Sequence, residues 1–277
     1  MVTFQEHDKI TIAETEDFDP VKVFECGQCF RWNADECGVY RGIAFGVPAE
    51  VRLVENCVEI KSRPGSFENL WNNYFDMNTD YAHARAEICI DDYMKRASEY
   101  GKGIRILRQE PWEALCSFII SQCSNIPRIK KTVEKLCEAF GEEEELDGHI
   151  YYSFPAVGKI ASLEEKDLAP IRCGYRAGYI INAARAVCSG ELDLDALYNA
   201  DSETALCEVE KLKGVGAKVA NCFVLFGLHK MEAFPIDVWM KRTIEKHYGK
   251  EFNPAVFGQF AGLAQQYMFY HARSGEN

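Results

Sequence analysis

The sequence has no long hydrophobic run. Its longest apolar stretch, CFVLFGL at Cys222–Leu228, is far short of the roughly 20 residues a spanning helix needs. The first residues, MVTFQEHDKI, are polar and hold no apolar secretion-signal core. A cytoplasmic protein with no membrane partner is therefore expected. Positive charge is also in short supply: 31 Lys and Arg stand against 43 Asp and Glu, a net charge of −12. That argues against a binder that relies on a broad basic surface. It leaves open local contacts made by backbone amides. The 12 cysteines fall at irregular spacings, and the single CxxC at Cys26–Cys29 has neither a second CxxC nor a nearby His pair. Reduced thiols are expected rather than a disulfide framework, a zinc site or a redox dithiol. There is no internal repeat and no low-complexity linker.

What is present is an ordinary globular composition, 47% hydrophobic and 27% charged over 277 residues. That length suits one large domain or two intimate ones. Alternation at Ile10 and Ile12, at Val51 and Leu53, and at Val58 and Ile60 predicts strands up to about residue 62. PGSF at Pro64–Phe67 then makes a turn. From about residue 68 the patterns are helical. PWEALCSFIISQ reads as a buried helix. NIPRIKKTVEKLCEAFG is amphipathic through Ile129, Val133, Leu136 and Phe140, with Gly141 as its stop. GEEEELDG reads as an acidic surface loop. A helix ending at Gly190 follows. Another begins at Asp201 or Ser202 and ends at Gly214, and a last one opens at Asn253 and Pro254. The expected fold is α+β. An N-terminal antiparallel sheet domain with flanking helices (1–104) precedes an all-helical body (105–277) that contains a helix-hairpin-helix at about 202–228.

LKGVGAKVANC, Leu212–Cys222, is the most informative segment. Gly214 and Gly216 pinch the chain between two helices and permit close approach of another backbone or a phosphate. The second helix starts with free N–H groups, which bind anions. Between Ala205 and His247 seven cations face five anions, although the whole chain is acidic. An ordinary helix–helix turn fits the glycines equally well. Lys218 lies in the first turn, where the helix dipole disfavours a cation. That field, partial burial and a second nearby cation would favour the neutral, nucleophilic amine. A solvated lysine, or one meeting a phosphate, is the plainer alternative. Asp237 in FPID is a natural N-cap for the next helix and a carboxylate able to stabilise a cation or move a proton.

The whole set resembles the helix-hairpin-helix DNA glycosylases, and within them the 8-oxoguanine branch. The carrying segments are ECGQCFRWN, SFIISQCSNIPRI, CGYRAGY, LKGVGAKVANC, FPIDVWM and GLAQQYMF. Cys222 is the last cysteine, so the four-cysteine iron–sulfur loop of the endonuclease III branch is absent. The resemblance implies a glycosylase with lyase activity on duplex DNA containing 8-oxoguanine, acting after base extrusion. It implies Lys218 as Schiff-base nucleophile and Asp237 as its electrostatic and proton-moving partner. Gly27 would accept from the N7–H that guanine lacks, and Gln265 would read the Watson–Crick edge. Phe269 and Cys222 would sandwich the base, although core packing would account for both residues just as simply. Gly214, Gly216 and Val219 would meet the DNA backbone. Tyr175 would wedge the duplex, and Arg176 and Arg128 would read the orphaned cytosine, with surface salt bridging as their alternative.

Two departures stand out. Cys123 replaces an Asn of the family pattern, with Asn125 or Gln122 as substitutes, and Trp239 replaces a phosphate-contacting His. The resemblance implies no required cofactor; a structural cation held by hairpin carbonyls would be compatible with it. A monomer is expected. Alternatives are a glycosylase for alkylated bases, which usually lacks the lysine, and a non-catalytic DNA-binding module. A Schiff-base aldolase is more distant, since no alternating strand–helix pattern appears.

Overall fold

Six strands build one antiparallel sheet in a computed structural model that describes residues 2–15 and 17–274. They are β1 (Phe4–His7), β2 (Ile10–Glu14), β3 (Asn33–Ala34), β4 (Tyr40–Ala44), β5 (Val47–Val54) and β6 (Cys57–Lys61). Their order across the sheet is β1-β2-β6-β5-β4-β3. The strands fall where alternation predicts them, but one face is reversed. Thr11 and Ala13 of β2 turn inward opposite Ile60 and Val58, whereas Ile10 and Ile12 are 39% and 43% exposed. A period of two defines two faces without saying which is inner. The two small residues are the ones that lie against the aromatic core.

That core is a stack of rings. Phe24 lies on Trp32 at 4.4 Å between centroids, Trp71 meets Trp32 edge-on, and Phe75 lies on Trp71. The Trp32 indole N–H donates to the Tyr74 hydroxyl at 2.9 Å, so its one polar group is satisfied. Phe24 comes from helix α1 (Pro20–Glu25), Trp32 from the segment just before β3, and Trp71, Tyr74 and Phe75 from a π turn (Phe67–Trp71) that runs into α2 (Asn72–Tyr74) and its C-terminal end.

The remaining helices are α3 (Tyr81–Ile88), α4 (Asp92–Gly101), α5 (Pro111–Ile120), α6 (Ile126–Phe140) and α7 (Val157–Ala161). Then come α8 (Arg176–Ser189), α9 (Leu194–Asn199), α10 (Ser202–Glu210), α11 (Ala217–Phe226), α12 (Val238–His247) and α13 (Ala261–Ser274). They enclose a second core. Every residue of α5 from Trp112 to Ile120 is buried, and α5 packs on α6, α8 and α11. Local signals fix most boundaries: Asp201 caps α10, Gly190 ends α8 at φ +77°, and Asn125 caps α6.

Three details differ from the expectation. The acidic segment is not a solvated loop; it is the hairpin β7 (Glu143–Leu146) and β8 (His149–Tyr152). Its charges are partnered, with Lys9 and Lys61 both reaching Asp147 at 2.5 Å and Arg63 reaching Glu144. The helical body therefore carries one small hairpin, held against the N-terminal sheet. Helix α10 stops at Glu210, short of Gly214. The final segment is not one helix either. A 3-10 stretch, Pro254–Phe260, precedes α13 and is itself kinked at Gly258 (φ 55°, ψ −138°).

Gly42 on β4 has no room for a side chain, because a Cβ there would lie 2.4 Å from the Trp32 ring. Gly42→Ala is expected to lower stability by about 1–3 kcal/mol through overpacking of a rigid core. A melting-temperature drop of several degrees is the readout; an unchanged melting curve would contradict the packing.

Candidate active site

The α10–α11 hairpin is shaped by its first glycine and left open by its second. Gly214 sits at φ +88°, and a Cβ there would lie 2.2 Å from the Tyr179 ring. Gly216 is extended (φ −106°, ψ 175°), and a Cβ there would meet nothing within 4 Å. Helix α11 starts directly after it with no side-chain cap, whereas α3, α4, α6, α9, α10 and α12 are each capped by an Asp or Asn side chain. Its first-turn amides thus stay available at an open surface. The Val219 side chain is buried in the helical core, so only its backbone is offered at this end.

Lys218 is the second residue of α11 and is half-buried. Its Nζ donates to Ser121 Oγ at 3.3 Å and lies 5.8 Å from the Phe118 ring centroid. Ser121 in turn donates to the Phe118 carbonyl at 2.7 Å. Its hydroxyl proton is therefore committed, and its lone pair faces the lysine. One turn on, burial pushes the Cys222 thiol up and the neighbouring Lys218 only partly opposes this, so Cys222 stays a neutral thiol. Asp237 caps α12, accepting from Met240 N at 2.8 Å through Oδ1.

These groups share a cavity of about 530 Å³. Lys218, Cys222 and Asp237 line it together with Gly27, Gln265, Phe269, Asn125, Trp239, Phe118 and Ser121. Residues far apart in sequence thus meet at one place. The Gln265 amide oxygen is buried and without a hydrogen-bond partner, a costly state for a polar atom. Gly27 is at φ +88°, and among the described residues no hydrogen bond is made to its carbonyl, although the carbonyls of Glu25, Cys26 and Gln28 all accept one.

The more peripheral residues are arranged differently. Tyr175 is 55% exposed at the start of α8. Arg128 is exposed. The Asn125 side chain caps α6 through its oxygen. Trp239 is 45% exposed, with the Arg242 guanidinium 6.0 Å over its ring. Arg176 is turned inward. It is 7% exposed and donates to the Gln122, Cys123 and Cys173 carbonyls. In this state it braces a turn rather than presenting a free guanidinium. Cys123 is exposed within that turn, at φ +48°.

Sequence reasoning missed Ser121, Gln109, Gln266 and Arg273, whose partners lie between 81 and 248 residues away. Only the i, i+7 spacing of Gln266 and Arg273, which puts both on one face of α13, was visible beforehand. Among the described residues no group of three or more His, Cys, Asp and Glu is placed to hold a metal ion. No helix among them is long and apolar enough to cross a membrane.

The fold and site define a protein of the helix-hairpin-helix class. Residues 116–255 match the HhH-GPD superfamily of base excision DNA repair proteins. Residues 9–115 match the N-terminal domain of 8-oxoguanine DNA glycosylase. The chain belongs to the 8-oxoguanine DNA glycosylase family. It is similar over the whole of both chains to MBOgg1, solved in complex with a low-affinity DNA ligand, at 38% identity and a TM-score of 0.95. It is also similar to the Clostridium acetobutylicum 8-oxoguanine glycosylase/lyase, solved with double-stranded DNA containing cytosine opposite 8-oxoG. There the identity is 36%, the coverage 100% of this chain and 99% of that one, and the TM-score 0.92. Among curated proteins, a probable N-glycosylase/DNA lyase of Methanothermobacter thermautotrophicus is 27% identical across 93% of this chain and 94% of its own.

Gly214→Ala places a side chain where both the backbone and Tyr179 refuse it. The hairpin is expected to distort, weakening binding to any duplex by about tenfold or more through lost amide–phosphate contacts. Titration with undamaged duplex DNA checks this; unaltered affinity would detach the hairpin from DNA binding.

Proposed function

We propose that this DNA glycosylase/lyase excises 8-oxoguanine from duplex DNA through a Schiff base on Lys218 and then cleaves the strand by β-elimination. The observation that carries the reading is one cavity with a half-buried lysine on one wall and unspent acceptors, the Gly27 carbonyl and the Gln265 amide oxygen, on others. An 8-oxoguanine base offers donors at N7 and along its Watson–Crick edge, so it supplies what those acceptors lack. Guanine has no proton at N7 and would face the Gly27 carbonyl lone pair to lone pair. Phe269 and Cys222 would flank the flipped base, and the neutral thiol adds no charge against its face.

The chemistry follows from the placement. The Lys218 amine forms a bond to C1′ while the bond to the base breaks and the base leaves with the electron pair, taking up a proton. Asp237 opposes the positive charge that develops at the sugar. Opening of the sugar ring gives a protonated Schiff base. That species acidifies the 2′ position, and loss of a 2′ proton expels the 3′ phosphate. Ser121 takes one hydrogen of the lysine, which would turn the nitrogen lone pair toward C1′. The uncapped start of α11 would grip a phosphate. Tyr175 would fill the gap left by the base, and Arg128 would meet the orphaned base. A glycosylase for alkylated bases is the weaker reading. The 3-methyladenine glycosylase of Archaeoglobus fulgidus, at 19% identity and a TM-score of 0.76, shares the fold alone.

Borohydride added to the protein with duplex DNA holding 8-oxoguanine opposite cytosine is expected to trap a covalent adduct that vanishes in Lys218→Gln. An adduct that persists in that variant would exclude Lys218 as the nucleophile. Asp237→Asn is expected to slow single-turnover excision by about a hundredfold or more while leaving duplex affinity within about threefold. Equal losses in rate and affinity would reduce Asp237 to a helix cap.

A further inference from the structure

The turn around Gly27 is held in an unusual way. Arg273 Nη2 donates to the Glu25 carbonyl at 2.7 Å, and Gln266 Nε2 donates to the Cys26 carbonyl at 2.8 Å. On the other side, Gln109 Nε2 donates to the Gln28 carbonyl at 2.8 Å and reaches the Phe226 carbonyl at the end of α11 at 3.4 Å. The Gln28 side chain is fully buried and bonds the Val23 and Arg105 carbonyls and the Leu107 N–H. Three side chains from distant segments thus occupy the carbonyls on both sides of Gly27, and its own carbonyl is passed over.

We propose that Gln266, Gln109 and Arg273 are positioning residues for base discrimination, acting as a clamp that stops the Gly27–Gln28 peptide from flipping. The plane of this peptide is set by ψ of Gly27 and φ of Gln28, and a glycine, with no Cβ, offers the least steric resistance to a change of ψ. A flip about the flanking bonds would exchange the Gly27 carbonyl for the Gln28 N–H at the cavity wall. The consequence is chemical, not only steric. A carbonyl there accepts from the N7–H of 8-oxoguanine; an N–H there would donate to the N7 lone pair of ordinary guanine. One peptide flip would therefore invert the preference between the damaged and the normal base. Gln109 adds a second link, tying the turn to the end of the helix that carries Lys218 and Cys222. This inference rests on the base-recognition reading proposed above.

The test separates base reading from the later chemistry. Gln266→Leu keeps the side-chain bulk and removes the donor; Gln109→Leu does the same from the other side of the turn. Three substrates are compared in single turnover: 8-oxoguanine duplex, its 7-deaza analogue with C–H in place of N7–H, and a preformed abasic site. Either folded variant is expected to lose about tenfold or more on 8-oxoguanine, as displaced contacts do. Its preference for 8-oxoguanine over the analogue should shrink by a similar factor, and abasic-site cleavage should stay within about twofold. Full retention of the preference in both variants would overturn the clamp, as would equal losses on the base and the abasic site. Wild-type protein that fails on 8-oxoguanine would overturn the recognition reading itself, and the clamp with it.

Discussion

Helix α11 begins without a side-chain cap, and the site depends on that missing bond. Capping side chains are worth about 1 kcal/mol each, and seven other α-helices among the described residues have them. The helix that carries Lys218 and Cys222 instead starts at a bare, extended glycine with open space beside it. Its stability comes from packing: Val219, Ala220 and every residue from Cys222 to Phe226 are buried. A helix so well anchored along one side can leave its positive end unsatisfied. That end is a ready anion site, which explains how a chain of net charge −12 can serve a polyanion. The Lys218 amine then springs from the same first turn as those amides, close to where a gripped backbone would bring its sugar.

The two cores meet around the same place. Cys26 and Phe30 belong to the helical core, whereas Phe24, Cys29 and Trp32 belong to the aromatic core of the sheet. The Gly27 turn therefore lies on the seam, with each flank sending residues into both hydrophobic masses. Polar groups cross the seam where the rings do not. Asp76 meets Arg108 at 2.8 Å, and His229, just past the end of α11, donates from Nε2 to the Ile106 carbonyl at 3.1 Å. Such buried polar contacts add little net stability, but breaking one is costly. They specify one mutual placement of the segments around the Gly27 turn.

Much of this was legible in the sequence because it is local. Helix caps at Asp201 and Asp237, the αL stop at Gly190, the alternation at Val58 and Ile60 and the pinch at Gly214 each depend on neighbours within a few residues. Lys218, Cys222, Gln265 and Phe269 were found through spacing together with family resemblance, and they do converge on one cavity. What stayed hidden is long-range. The inward face of β2 is decided by rings from other segments, so the alternation at Ile10 and Ile12 marks a strand without showing that both isoleucines lie outside. The acidic run at 142–147 gave no hint of Lys9 and Lys61, more than 80 residues away in the chain. The carbonyl partners of Gln266, Gln109 and Arg273 leave no local mark, since any glutamine or arginine can serve a backbone acceptor.

Cys123 brings these strands together. An asparagine at such a position has two physical merits: it tolerates the left-handed region and it offers an amide to a base. Cysteine supplies neither well, yet the chain keeps φ +48° there. Arg176 accounts for the conformation, because its guanidinium bonds the carbonyls of Gln122 and Cys123. Those bonds offset the roughly 1–2 kcal/mol that a non-glycine residue pays in that region. The turn thus retains its shape while losing its hydrogen-bonding group. An arginine occupied with holding a backbone is poorly placed to read a base as well. Selectivity for the base opposite the lesion would then fall to exposed Arg128 and to whatever Arg176 can give up once DNA is bound.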